Sequence, residues 1–371
     1  MAFKKVLLLS VVFAHQALST PILEPRIFQT ISTRDTAILF DAPAFQDPKN
    51  PNNYVASFRA FAFKNLVDIS DVVDDLVDFI EGFGINIGNS LNILENHAQL
   101  FGAIGLPFKE IPVRIDGCSI QAELDETELL PNLGMLEQDL SVGTCKTGPL
   151  NAQVVLESPD TRKFQAVVFP SPPTGFGIIS DIDDTIKISN VLDTVATIKS
   201  TFLEEPRFVP GMPDLYKSLK TSLQSPQFIY LSGSPFQLYP TLRQFINTNY
   251  QPGPILLQNL TFVNIPGVLN FIQGTPFDFK SERINTIHGW YPAKKFLSIG
   301  DSTQSDPEIY AAAFKRFGGN FIQCIWIRKV DGAANSNERF AAAFAGVPAN
   351  KFRIFTDPAE LMGINVAAGE C

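Results

Sequence analysis

Gly177-Ile-Ile-Ser-Asp181-Ile-Asp183-Asp184-Thr185 is an apolar, strand-like run that ends in three carboxylates within four residues. Acids crowded at a strand end repel one another, and a fold tolerates them only with a compensating cation or a dense set of hydrogen bonds. Side chains two apart on an extended chain point the same way, so Asp181 and Asp183 can converge on one ligand. Standing alone, an Asp-x-Asp is more often a turn or a helix cap than a catalytic pair.

It does not stand alone. Phe228-Ile-Tyr-Leu-Ser232-Gly-Ser234-Pro235 closes a second strand with hydroxyls, and Phe296-Leu-Ser-Ile-Gly300-Asp301-Ser-Thr-Gln-Ser-Asp306 closes another with two more acids. Lys280 opens the helix before that strand, and Lys294, which directly precedes the strand, is its rival for a lysine role. Strand-like runs at 176–180, 227–231, 255–257, 295–299 and 321–328 alternate with helical spacing at 212–223, 238–247, 281–290 and 306–316. This rhythm predicts an α/β fold with a parallel sheet covered by helices on both faces. Functional residues of such sheets collect beyond the carboxyl ends of the strands.

Upstream the pattern changes at Pro170-Ser-Pro-Pro-Thr-Gly175, a composition break that reads as a linker. Residues 22–53, rich in Pro, Asp and Asn, read as an irregular arm. Residues 66–80 have apolar positions at helical spacing, with Asp71, Asp74, Asp75 and Asp78 as the solvated face of an amphipathic helix. From 111 to 169, short alternating runs at 113–117, 153–156 and 164–169 suggest a small β-sandwich. The expected division is a leader at 1–19, a helical arm with a smaller β-rich domain at 20–170, and the α/β domain at 171–371.

The 371 residues are 45% hydrophobic and 18% charged, with a formal charge of −9. An acidic surface argues against nucleic acid and against electrostatic docking on anionic membranes. Lys4 and Lys5, the apolar run 6–14 and Ala17-Leu18-Ser19 have the form of a secretory leader. Its removal takes both lysines away and leaves His97 and His288 as the only histidines, too few for a histidine-rich metal site. No later run reaches the roughly 18 apolar residues of a transmembrane helix. Export favours oxidised cysteines, and the expected pairs are Cys118 with Cys145 and Cys324 with Cys371, although four cysteines permit three connectivities. Asn259-Leu260-Thr261 is a glycosylation acceptor triplet.

The acids, hydroxyls and lysine, in this order and spacing, resemble the haloacid dehalogenase (HAD) superfamily, with its Rossmann-like parallel sheet. More narrowly, Asp181-Ile-Asp-Asp-Thr-Ile-Lys187, Val209-Pro-Gly-Met-Pro-Asp-Leu-Tyr216, Ser232-Gly-Ser-Pro235 and Gly300-Asp-Ser302 with Asp306-Pro-Glu-Ile-Tyr310 are similar to the actin-patch-associated phosphatidate phosphatases of fungi and bacteria. The resemblance covers about residues 170–330, and the loop Thr303-Gln-Ser305 departs from the family's Gly-Gln-Lys wording. It implies a Mg²⁺-dependent phosphomonoesterase that converts phosphatidate to diacylglycerol at a lipid interface. By position, Asp181 is the implied nucleophile and Asp183 the acid and base, while Ser232 and Lys280 hold the phosphoryl oxygens. The implied metal set is Asp181, the Asp183 backbone carbonyl, Asp301 and Asp306. Asp184 and Thr185 take structural roles. The short connection after Thr185 leaves room for a flap but not a cap domain. Two other readings stay open: an exported phosphatase acting on a soluble or protein phosphate, and a non-catalytic binding protein on the same scaffold.

Overall fold

The structure, a computed structural model, describes residues 29–65, 69–259, 274 and 276–371. The leader-like segment 1–19, residues 66–68 of the expected helix, and Leu260 and Thr261 of the acceptor triplet lie outside the described residues.

Nine strands precede the Pro-rich break: β1 (Thr36–Leu39), β2 (Ala42–Gln46), β3 (Tyr54–Asn65), β4 (Ala103–Gly105), β5 (Ile111–Ile115), β6 (Ala122–Leu124), β7 (Met135–Gly143), β8 (Leu150–Val154) and β9 (Gln165–Pro170). They form one sheet in the order β1-β3-β2-β9-β8-β5-β6, with β4 and β7 also paired to β3. Two expectations are corrected here. The stretch taken as an irregular arm contains β1 and β2. In place of two stacked layers there is a single curled sheet, because the 12-residue β3 is long enough to pair with β1 and β2 along one edge and with β4 and β7 along the other. The curl brings the segment before β6 back to β7, where Ser119 N donates to Thr144 O at 2.9 Å and Ile120 N to Val142 O at 3.1 Å. The Cys118–Cys145 disulfide fixes the same approach.

Alternate side chains of β3 serve different cores. Ala56, Phe58, Ala60 and Ala62 fill the inside of the curl. Phe61 and Phe63 join a larger core that also holds Ile178, Tyr230 and Leu297 of the second sheet. Between β3 and β4 run helices Ser70–Gly82 and Leu91–Ala98. The first begins four residues later than the spacing suggested. It buries Val73, Leu76 and Ile80 and leaves Asp71, Asp74, Asp75 and Asp78 exposed.

The second sheet contains β10 (Phe176–Ser180), β11 (Gln227–Pro235), β12 (Ile255–Gln258), β13 (Lys295–Asp301), β14 (Ile322–Arg328) and β15 (Phe352–Phe355), in the order β12-β11-β10-β13-β14-β15. Every neighbouring pair is parallel. Ile178 and Ile179 of β10 point into different cores, as strand alternation requires. Helices Met212–Ser222 and Tyr239–Asn249 bury their apolar stripes on the Ile178 face, and helices Phe277–Trp290 and Asp306–Phe317 on the Ile179 face. The chain is therefore mixed α/β, with a curled sheet ahead of a helix-covered parallel one. Cys324 in β14 is bonded to the last residue, Cys371, so both disulfides join the expected partners. No helix among the described residues is long and apolar enough to cross a membrane.

The two sheets are tied by charge as well as by apolar contact. The Asp41 carboxylate accepts from Arg243 Nε and Nη2 at 2.8 and 2.9 Å, and Arg59 Nη1 donates to Leu257 O at 2.8 Å.

Candidate active site

Strand β10 lies centrally, with β11 and β13 as its neighbours, so the chain leaving its carboxyl end emerges between two other strand ends. Asp181 is the first residue past β10. Ser232 and Ser234 lie inside β11, and Asp301 is the last residue of β13, so the latter two strands run further than the sequence suggested. Lys280 sits in the first turn of the Phe277–Trp290 helix, which starts four residues ahead of the expected 281–290 range. Asp306 opens the helix after β13. Gly300 permits the return of that helix: a Cβ at this position would lie 2.3 Å from Asp306 Oδ2.

Asp181, Asp301 and Asp306 form a buried group whose carboxylate oxygens lie within 4.8 Å of one another. Lys280, with a side chain 0% exposed, donates to Asp181 Oδ1 at 2.7 Å and to Asp306 Oδ1 at 2.6 Å. Thr185 Oγ1 donates to Asp181 Oδ2 at 2.8 Å and lies 3.3 Å from Asp301 Oδ2. The Thr303 backbone N donates to Asp301 Oδ1 at 2.5 Å, and the Thr303 hydroxyl donates to the same oxygen. Three acids against one ammonium leave this pocket short of positive charge. Burial, reinforced by Asp306, Asp301 and Asp183, raises the Asp181 carboxyl well above the usual carboxylate range despite Lys280. Burial and then Asp306 push Asp301 up to about 7. Lys280 responds oppositely: burial disfavours its charge, yet attraction to Asp181 and Asp306 outweighs burial and raises it above the ordinary lysine value.

Asp183 belongs to a neighbouring group. Its Oδ2 accepts from Ser232 Oγ at 2.7 Å and Ser234 Oγ at 2.9 Å, and its Oδ1 from Ser189 Oγ at 2.6 Å. Lys187 Nζ lies 3.7 Å from Oδ1. Burial pushes this carboxyl up, but Lys187 and the three hydroxyls outweigh burial and hold it below the usual range. Asp184 is structural in its geometry. Its backbone has φ 55°, and its carboxylate accepts from the backbone N of Ser189, Asn190 and Val191 at 2.8–2.9 Å.

The six acid, hydroxyl and lysine positions singled out in the sequence thus fall into two adjoining groups at one sheet edge. The rival Lys294 is at the opposite, amino end of β13, where its Nζ donates to Thr174 O at 2.9 Å. Ser189 and Thr303 were not singled out, although each lies a few residues from a motif acid. Ser234 and Lys187 were visible only as parts of quoted motifs. An all-oxygen donor set of three buried carboxylates with one lysine fits a hard divalent cation such as Mg²⁺.

Residues 176–329 match the family model described as "Phosphatidate phosphatase APP1, catalytic domain". Phosphatidate phosphatase APP1 of Saccharomyces cerevisiae is 35% identical over 159 residues, which cover 42% of this chain and 26% of the yeast protein. An uncharacterized protein of Schizosaccharomyces pombe is 26% identical over 217 residues, or 55% of this chain and 35% of that protein. The chain spans about a quarter to a third of the length of these curated relatives. Every residue of the two site groups lies inside the matched segment, whereas the curled sheet and β15 lie outside it.

Proposed function

We propose, from the match of residues 176–329 to the phosphatidate phosphatase catalytic-domain model, that this protein is a HAD-like phosphoric monoester hydrolase that converts phosphatidate to diacylglycerol. The observation that carries the reading is Lys280 bonded at once to Asp181 and Asp306 inside a buried, acid-rich strand-end pocket. Asp181 attacks phosphorus, the ester P–O bond breaks, and an aspartyl phosphate forms. Lys280 and Thr185, each bonded to one of its oxygens, aim that carboxylate. Asp183 is ionised in the free protein; it takes up a proton as Ser232 turns away and the negative phosphate arrives beside it, gives that proton to the departing alcohol oxygen, then takes one from the water that releases phosphate. Ser232 turns its hydroxyl from Asp183 to the phosphoryl oxygens, and Lys280 supplies fixed positive charge beside them.

Asp181, Asp301 and Asp306, with the Asp183 backbone carbonyl, would hold Mg²⁺, which would neutralise the charge of a phosphate dianion approached by a carboxylate. Export is part of the proposal: two disulfides suit an oxidising compartment, as does the leader-like start of the chain. The same disulfides favour a second reading, in which the substrate is a soluble or protein phosphate met outside the cytosol.

The test is phosphate release from short-chain phosphatidate and from an aryl phosphate, with Mg²⁺ and with chelator, in wild type and Asp181→Asn. Mg²⁺-dependent turnover of phosphatidate that vanishes in the variant is the expected result. Turnover of the aryl ester alone would keep the mechanism and discard the lipid. Turnover of neither, by folded protein, would leave a binding protein on this scaffold.

A further inference from the structure

Resting on the reading of Asp183 as the acid, we propose that Lys187 is a positioning residue: through Ser189 it fixes the Asp183 carboxylate so that Oδ2 serves the departing oxygen, which equips the site for esters of poorly leaving alcohols. Lys187 is buried, and its Nζ donates to Ser189 Oγ at 2.8 Å. Ser189 has a single hydroxyl proton, which it gives to Asp183 Oδ1 at 2.6 Å. The lysine therefore occupies the acceptor side of that hydroxyl and keeps its proton pointed at Asp183, and hydrogen bonds linked in this way strengthen one another.

The backbone holds both partners rigidly. Lys187 N donates to Ile182 O at 2.9 Å, Asp184 N to Lys187 O at 2.7 Å, and Ser200 Oγ to Ser189 O at 2.7 Å. The two carboxylate oxygens consequently differ. Oδ1 is clamped by a fixed chain of donors, whereas Oδ2 is held by Ser234 and by Ser232, the hydroxyl that a phosphoryl group would draw away. Lys187, Asp183, Ser234 and His97 line one narrow, partly open crevice. Lys187 thus addresses Asp183 through Oδ1, the oxygen that Ser232 and Ser234 leave free.

An alkoxide needs a proton as it leaves, whereas the anion of an acidic phenol does not, and kcat/KM reports the steps up to that departure. The experiment compares kcat/KM for short-chain phosphatidate and for the phosphate ester of an acidic phenol in wild type, Lys187→Met, Lys187→Arg, Ser189→Ala and Asp183→Asn. General acid help is worth about 10²–10⁴-fold, and a misaimed acid forfeits part of it, so Lys187→Met should lose about 30-fold on the alkyl ester and about 3-fold or less on the aryl ester. Lys187→Arg should recover most of the loss. Equal loss on both esters, or none on either, would overturn the proposal. Should Lys187→Met fail to fold, Ser189→Ala breaks the same link without removing a charge, and it must show the selective loss; a uniform loss there would also sink the idea. An Asp183→Asn variant without leaving-group preference would overturn the acid assignment itself, and a preference in Asp183→Asn without one in Lys187→Met would overturn the lysine's role alone.

Discussion

Lys280 and Lys294 are buried to nearly the same degree, 0% and 1% exposed, and stand near opposite ends of β13. At the carboxyl end, Lys280 meets two carboxylates and its charge is held more firmly than in water. At the amino end, Lys294 finds a backbone carbonyl and the Tyr291 ring, 5.3 Å from its Nζ, and burial pulls it down to about 8. Burial alone therefore does not decide whether a lysine keeps its charge; the surplus of opposite charge around it does. The acids teach the same lesson. Asp35 with Lys109 and Asp41 with Arg243 are one-to-one pairs, whereas Asp181, Asp301 and Asp306 share one lysine. Balanced pairs bind the fold together, and the unbalanced group is where the proposed cation and substrate would bring the missing charge balance.

The comparison breaks most visibly at Lys280. Its replacement by Met should reduce phosphate release on the order of 10³-fold, as should Asp181→Asn, measured as kcat on any accepted substrate. Lys280→Met should also cost about 3–5 kcal/mol in denaturant unfolding, because it strands buried charge. Lys294→Met should do the reverse and stabilise the protein by about 2–3 kcal/mol at pH 7. The depressed Lys294 contributes stability that is present above its unfolded value and is lost as pH falls through about 8, so the variant's advantage should shrink as unfolding is followed toward pH 10.

Asp301 gives the mirror image in metal-free protein. Its raised carboxyl contributes stability that is full below about 4 and is lost as pH rises through about 7, so Asp301→Asn should gain about 1–2 kcal/mol at neutral pH and flatten the profile. Added Mg²⁺ should stabilise wild type much more than this variant, read as a shift in Tm. Asp74→Asn, on an exposed helix face, should change stability by about 0.5 kcal/mol or less.

The parallel sheet was legible because each of its central strands is an apolar run that ends in a motif, and β-α alternation leaves few other arrangements. The sequence favoured Lys280 over Lys294, and the contacts of the two differ: Lys280 is bonded to Asp181 and Asp306, Lys294 to a backbone carbonyl. Strand β3 was not legible. Both its faces are covered, so Tyr54–Asn65 shows small and large residues instead of polar and apolar ones, and Arg59 interrupts it from a buried position. The start of the Phe277–Trp290 helix was missed for want of a signal, as Pro276 offers no side-chain cap. Lys187 and Ser189 escaped notice as a pair because they act through a third residue, a relation that only folding creates.

Strand β3 has one further consequence. Because its alternate side chains complete the interior of the curled sheet and a core shared with the parallel sheet, neither sheet can come apart while the other stays intact around those twelve residues. Melting should be a single cooperative event, and the amides of β3 should exchange with solvent only when the whole chain opens. The segment that matches the phosphatase family then borrows its persistence from a strand more than a hundred residues upstream, far outside the match.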